Sequence, residues 1–262
     1  MKRRSITVIS PSRSQPNQAE FLERACASIR SQSVITGYDL TILVGVDEDE
    51  KSNTADLAAT YEFSIAESNG KSQASALNAA IRQANTEFVA FLEDDDCWAP
   101  SYLQIAEREL ASGSAFVSST QLEYDEYGVI LRINDFPTPS GWIMPMETLR
   151  AVGEFNEEYR FHLDNEWLGR LSETGFPRVH LVESTAPIES RFIGQIRPWL
   201  ANAIQYSENL TTLVRHQSPI PLVSRLVHSQ SGMAQISANP LLAEISANEE
   251  QALRNRFGRI PW

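Results

Sequence analysis

Phe88-Val89-Ala90-Phe91-Leu92 runs directly into Glu93-Asp94-Asp95-Asp96, and Cys97-Trp98-Ala99-Pro100 follows. An unbroken apolar run of this length fits a strand buried on both faces of a parallel sheet. Consecutive acids at its end would repel one another strongly if buried unpaired. A cation shared among them removes that difficulty. Carboxylate oxygens suit Mg2+ or Mn2+, which keep open positions for phosphate oxygens and water. The competing reading is a solvated acidic loop; the apolar strand before the acids and the Trp98 and Pro100 after them favour the cation.

Working outward from that strand, the chain alternates strand-like and helix-like segments. Residues 5–10 (SITVIS), ended by Pro11, and residues 40–46 (LTILVGV), ended by Asp47, are further apolar runs expected as buried strands. Phe21, Leu22, Ala25 and Ile29 recur at helical spacing and predict a helix over 17–32. A short helix is expected at 55–61 and a strand at 61–65. Ala74, Leu77, Ile81 and Ala84 share one helix face, preceded by the turn Asn69-Gly70 and a capping Ser72. Pro100 opens another helix to about Ala111. Such alternation predicts an α/β fold, a parallel sheet with helices on both faces. Ligands bind such sheets at the carboxyl ends of the strands. Ser12, Asp47 and Glu93 to Asp96 all follow strands.

The second half is less regular. A strand is expected at 115–119, a hairpin over 122–133 turning near Asp125 to Gly128, helices at 146–152 and 164–172, and a strand at 178–182. Beyond about 195, Leu200, Ile204, Leu210, Leu213 and Val214 suggest helix, broken by Pro219 and Pro221. The expected organisation is a main domain over 1–195 and a helical C-terminal extension over 196–262. That extension could pack on the core, pair two subunits as a homodimer or cover an acceptor site.

The composition narrows the partners. Lys plus Arg is 22 and Asp plus Glu is 34, a formal net charge of −12. So acidic a surface repels phosphate backbones, and nucleic acid is not expected as a partner. No apolar run approaches the ~18 to 20 residues needed to cross a bilayer, which leaves at most peripheral membrane contact. The basic start MKRRSITVIS has too short an apolar stretch for a signal peptide and reads as a first strand. Cys26 and Cys97 form no CxxC and do not combine with histidines at zinc spacing. Two reduced thiols and a cytoplasmic location are expected.

Other candidates stand beside the acid cluster. Asp47, in VGVDEDEKS, could accept hydrogen bonds from a base or ribose, or be a charged loop tip. An EF-hand is rejected, because its sixth and twelfth positions would need Gly and Glu and are Ser52 and Ala58. Gly70-Lys71-Ser72 opens a helix whose N-terminus could face an anion, or Lys71 is a plain surface lysine. It is no P-loop, since the first glycine of that motif would fall at Ile65. Asp164 and Glu166 open a helix, where acids are commonly caps.

Taken in order, these motifs resemble glycosyltransferase family 2, nucleotide-sugar-dependent, mostly inverting enzymes of the GT-A fold, over about residues 5–190. ITVISPSRS is similar to the family's first strand and its "PTYN" element, which implies donor contacts at Ser12 and Arg13. Ser28-Ile29-Arg30-Ser31-Gln32 resembles "SIxxQ", and Val46-Asp47-Glu48-Asp49 the acid-bearing strand end that binds uracil or ribose. Gly70-Lys71-Ser72 through Asn78 resembles "GKxxALN", implying donor contacts at Lys71 and Asn78. Residues 91–100 resemble "FLDxDDxWxP", which contains the DxD metal motif; this implies Asp95 and Glu93 as metal ligands and Asp94 as a donor contact. Val152 to Glu157 resembles "VGGFDE", and Leu163-Asp164-Asn165-Glu166 aligns with "EDxE", whose Asp is the general base. There are departures: Glu93 replaces the first Asp of DxD, Arg13 the usual Tyr and Leu163 the Glu before the base, and no late histidine marks itself as a metal ligand.

The resemblance implies metal-assisted inverting transfer of a sugar from a nucleotide donor, a UDP-sugar, to a carbohydrate, lipid or small-molecule acceptor. Three rivals are weighed. A nucleotidyltransferase would favour a glycine-rich basic loop after the first strand, and Pro11 to Pro16 contains no Gly. A non-catalytic sugar-nucleotide-binding protein of the same fold is favoured by Glu93 and Leu163. A dinucleotide-binding dehydrogenase would need a GxGxxG, which the chain lacks.

Overall fold

Ile6, Val8 and Ile9 are fully buried because their strand lies inside a sheet with helices on both faces. The structure is a computed structural model and describes residues 3–13, 19–34, 37–47, 51–185 and 211–262, with 51–53 described by backbone alone. In chain order the elements are β1 (Arg4–Pro11), α1 (Ala19–Arg30), β2 (Tyr38–Asp47), α2 (Lys51–Tyr61), β3 (Ser64–Ser68), α3 (Gln73–Gln83), β4 (Phe88–Phe91), β5 (Cys97–Trp98) and α4 (Tyr102–Ala111). They continue with β6 (Phe116–Ser119), β7 (Gln121–Asp125), β8 (Ile130–Asn134), β9 (Trp142–Pro145), α5 (Met146–Val152), α6 (Leu163–Glu173) and β10 (Arg178–Val182). The last are β11 (Thr211–Arg215), β12 (Val223–Val227), α7 (Gly232–Ala238) and α8 (Pro240–Phe257).

The main sheet has the order β11-β10-β6-β9-β4-β1-β2-β3. Neighbouring strands in it are parallel except where β9 lies antiparallel between β4 and β6. Side chains alternate across its pleat. Phe88, Ala90 and Leu92 join the core beneath α1 and α4, with Leu22, Ile29 and Leu103. Val89 and Phe91 join the opposite core beneath α3, α5 and α6, with Leu77, Leu149 and Trp167. Burying each such side chain stabilises the fold by about 1.5–3 kcal/mol. In the second core, Trp142 meets Trp167 at 5.0 Å, Phe116 at 5.4 Å and Phe155 at 6.1 Å. The Trp167 indole donates to the Gly153 carbonyl at 2.9 Å, so α6 is held to the sheet by packing and by a satisfied polar tip.

A smaller sheet, β5-β12-β7-β8, stands beside the end of β4. The chain first enters it at β5, just after the acids, and returns to it when β6 passes into β7 at Thr120. The hairpin from β7 to β8 turns as expected: Asp125 Oδ1 accepts from the Tyr127 and Val129 amides, both at 2.9 Å, and Gly128 takes a positive φ of 79°.

Two close approaches set the position of α3. Ser72 and Ser75 form a capping box at its start. A Cβ on Gly45 would lie 2.1 Å from the Ala76 carbonyl oxygen, so glycine there lets the helix sit hard against the end of β2. The Gln32 amide donates to the Ser28 and Ala99 carbonyls and accepts from Leu103 N, joining the end of α1 to the start of α4. The family-like Gln32 is therefore a framework residue.

Two sequence expectations are corrected. The strand expected at 61–65 lies at Ser64–Ser68, because α2 runs on to Tyr61. Leu213 and Val214, read as helical, lie in β11, which pairs in parallel with β10; Leu200, Ile204 and Leu210 lie outside the described residues. Of the residues assigned to the extension over 196–262, β11 extends the main sheet and β12 the smaller one. Among the described residues of that span, helix lies beyond these strands, in α7 and α8. Among the described residues no helix is long and apolar enough to cross a membrane.

Candidate functional site

Because the strands run in parallel, Pro11, Asp47, Ser68 and Phe91 end β1, β2, β3 and β4 on one edge. The acids Glu93 to Asp96 fill the short passage from β4 to β5. Carboxylate oxygens of Glu93, Asp95 and Asp96 all lie within 4.8 Å of one another. Each acid is held from a different element. Asp94 Oδ2 accepts from Ser12 Oγ at 2.6 Å, at the end of β1. Glu93 Oε1 accepts from Gln73 Nε2 at 2.5 Å, in the first turn of α3. Asp96, fully buried, accepts from Ser140 Oγ at 2.5 Å and from the Leu226 amide at 3.2 Å. Ser140 Oγ also accepts from the Glu93 amide at 3.1 Å, and the Trp98 indole donates to the Ser140 carbonyl at 2.6 Å.

Two residues that sequence reasoning did not single out complete the cluster. His228 Nε2 lies 2.9 Å from Asp95 Oδ2, and His228 is buried. Arg225 Nη1 donates to Glu123 Oε1 at 3.1 Å while its charge reaches Glu93, Asp96 and Asp95. Both lie at β12, some 130 residues from the acids (|i−j| = 133 for His228 and Asp95), so no local spacing links them. The available signal was a basic residue and a histidine around a short apolar run, Ser224-Arg225-Leu226-Val227-His228.

The electrostatics follow from burial and mutual repulsion. Burial, then Asp95, push the Glu93 carboxyl up to about 7, against the opposing effects of Arg225 and Gln73. Burial, then Asp95, likewise push Asp94 up to about 7, opposed by Ser12 and by the nearby Arg13. Asp96 is raised by burial and by Asp95 and Glu93. His228 is raised by its hydrogen bond to Asp95. Burial works against the Arg225 cation, but Glu93, Asp96 and Glu123 outweigh it and hold its pKa above the usual value. The carboxyls thus crowd negative charge that one arginine balances only in part. The hard oxygen donors and the unrelieved repulsion fit a divalent cation. Asp95 and Glu93 are the better placed to hold it, because both oxygens of Asp96 already accept hydrogen bonds.

The remaining sequence-derived residues divide. Ser12 and Arg13 reach the cluster through Asp94. Lys71 is exposed, two residues before the Gln73 that binds Glu93. Asp47 lies at the carboxyl end of β2, paired in register with Ser68. Asp164 sits in the first turn of α6, half-buried, with Oδ1 accepting from the Asn165 amide at 2.8 Å. Burial raises its pKa despite that bond, its charge is felt by Glu93, and Arg225 acts on it, so it lies within electrostatic reach of the acid cluster. Glu166, the other acid of that turn, is buried between Arg170 (2.9 Å) and Arg256 (2.9 Å) and serves the framework.

Asn78, implied as a donor contact, is bound into the framework here. It is buried, its Nδ2 donates to the Phe155 carbonyl at 2.9 Å and to Glu157 at 3.0 Å, and its Oδ1 accepts from the Phe155 amide at 2.8 Å. Its amide is committed to the 153–157 loop, which explains the residue without a donor contact.

The chain resembles residues 1–349 of TarS from S. aureus, crystallised in complex with UDP, with a TM-score of 0.54 at 13% identity over 96% of this chain and 70% of that one. It also resembles the mannosyltransferase PcManGT from Pyrobaculum calidifontis, in complex with GDP-Man and Mn2+, with a TM-score of 0.53 at 18% identity over 95% of this chain and 75% of that one. At such identities the likeness shows the fold, which is that of the GT-A glycosyltransferases. The chain belongs to glycosyl transferase family 2, whose sequence profile matches residues 7–165, more than half of its length. No curated protein sequence matches it.

Proposed function

We propose that this chain transfers a sugar from a nucleoside-diphosphate donor, a UDP-sugar, to an acceptor hydroxyl with inversion at the anomeric carbon. What supports the reading is the acid cluster at the carboxyl edge of the parallel sheet, with the Asp95 and Glu93 carboxylates close together, Asp94 bound by Ser12 and Asp164 within electrostatic reach. Asp47 takes the base or ribose, and Ser12, Arg13, Asp94 and Lys71 flank the diphosphate. Asp95 and Glu93, with His228 beside them, would hold Mn2+ or Mg2+, which would supply positive charge against the departing diphosphate. This reconciles a chain of net charge −12 with an anionic donor.

Asp164 accepts the proton of the acceptor hydroxyl as the new bond to the anomeric carbon forms. The bond to the diphosphate oxygen breaks, and the nucleoside diphosphate leaves. Burial makes Asp164 a stronger base than a surface carboxylate, and the aromatic core beneath α6 keeps it in place. The acceptor is a carbohydrate, a lipid or a small molecule, and the reaction takes place in the cytoplasm.

Two variants test the reading. Asp164→Asn should cut transfer by about 100-fold or more, the usual worth of a positioned base, with Mn2+-dependent nucleotide affinity retained. Asp95→Ala should remove the Mn2+ dependence of nucleotide binding in calorimetry. Transfer that survives in the first, or unchanged affinity in the second, refutes the corresponding assignment.

A further inference from the structure

The loop that presents Asp164 is held from outside. His162, at the N-terminal boundary of α6, makes no side-chain cap. Instead Glu249, buried on α8, points its carboxylate at three successive amides: Arg160 N at 2.7 Å, Phe161 N at 2.9 Å and His162 N at 3.0 Å. Charge-assisted bonds of this kind are short and strong. One turn earlier on α8, Ser246 Oγ lies 2.8 Å from His162 Nε2, while His162 Nδ1 lies 3.2 Å from Asn165 Oδ1. Asn165 Nδ2 in turn donates to the Pro261 carbonyl at 2.8 Å. Further along, Arg256 pairs with Glu166 at 2.9 Å, and the Phe257 ring occupies the space a Cβ on Gly169 would need, 2.5 Å away. The C-terminal helix and the tail after it therefore hold residues 160–162 ahead of Asp164 and residues 165, 166 and 169 behind it.

We propose that Glu249 is a positioning residue of the active centre: by binding the Arg160–His162 amides it fixes the direction in which Asp164 faces the acid cluster. This rests on Asp164 acting as the base. Proton transfer in the displacement depends on that geometry, whereas nucleotide binding does not. Loss of the carboxylate should therefore lower turnover without loosening the donor site.

The experiment compares the full-length wild type with Glu249→Gln, Ser246→Ala and Asp164→Asn. Hydrolysis or transfer of UDP-N-acetylglucosamine and GDP-mannose is followed with Mn2+, and affinity for UDP and GDP by calorimetry. Glu249→Gln should lower kcat about 10-fold, within the range a small misplacement of a reacting group costs. Its donor KM and nucleotide affinity should stay within about twofold, and amide exchange at 160–165 should quicken. Ser246→Ala, the milder change should Glu249→Gln not fold, should lower kcat about threefold by the same loosening. An unchanged kcat in both variants, or equal losses in kcat and nucleotide affinity, overturns the proposal while Asp164→Asn remains inactive. Full activity of Asp164→Asn, or no turnover by the wild type, overturns the glycosyltransferase reading itself and the proposal with it.

Discussion

Replacing Arg225 by Met should destabilise the protein more at pH 8 than at pH 6. Arg225 is largely buried, its side chain 20% exposed, and it serves two groups of acids. Towards Glu123 the loss is partial, because Glu123 keeps Arg132 at 2.6 Å and Asn134 at 2.8 Å. One charge-assisted hydrogen bond is lost there, worth about 1.5–3 kcal/mol. Towards Glu93, Asp95 and Asp96 the loss is of the cation that offsets their repulsion. Removing one partner of a buried charge arrangement costs about 3–5 kcal/mol in all, that hydrogen bond included, and the partners Glu123 keeps put the expected loss at the low end, about 3 kcal/mol at pH 8. For a chain of this size that lowers Tm by about 6–12 °C. At pH 6 the cost shrinks, because Glu93, raised to about 7 and facing Arg225, is already taking up a proton. Thermal and urea unfolding in EDTA at both pH values measure this, and Mn2+ should recover more stability in the variant than in the wild type. A loss below about 1 kcal/mol, or one equal at the two pH values, would refute the view of Arg225 as internal counter-charge to the cluster.

Wild-type stability in EDTA should fall as pH rises from 5 to 8. Glu93 and Asp94 bind protons more tightly in the fold, at about 7, than in the unfolded chain, so the folded state is favoured on the acid side and loses that advantage as pH climbs through 7. Saturating Mn2+ should flatten or reverse the slope; a profile that rises over this range without metal contradicts the repulsion inferred at the cluster. Asn78→Ala should cost about 2–4 kcal/mol by leaving the buried Phe155 amide and carbonyl unpaired, with nucleotide affinity within about twofold. A tenfold loss of affinity at unchanged stability would return Asn78 to the donor site.

Much of the fold was legible where burial writes itself into composition. The β1, β2 and β4 strands are covered on both faces and read as apolar runs, and α3 carries its cap and its apolar face in consecutive residues. The hairpin from β7 to β8 announced itself by its turn chemistry. By contrast β9 is short, and its strand identity comes from slotting antiparallel between β4 and β6. Leu213 and Val214 suggested helix, yet β11 became a strand because the open edge of β10 offered unpaired backbone groups. The long α8 did carry local signals, Asn239 and Pro240 at its start and a left-handed Gly258 at its end, but a weakly apolar surface hid its direction of packing.

The sequence by itself determined an acid-terminated strand in a parallel α/β sheet and the order of motifs that ties the chain to its family, because those depend on neighbours in the chain. Only tertiary structure decided which acids stay available and which are braced, that Arg225 and His228 join them, that Asn78 serves the framework, and that Glu249 holds the loop before Asp164. Charges interact through space, and partners separated by 80 to 130 residues leave no period or spacing for a linear reading to detect (|i−j| = 87 for Glu249 and His162, 133 for His228 and Asp95).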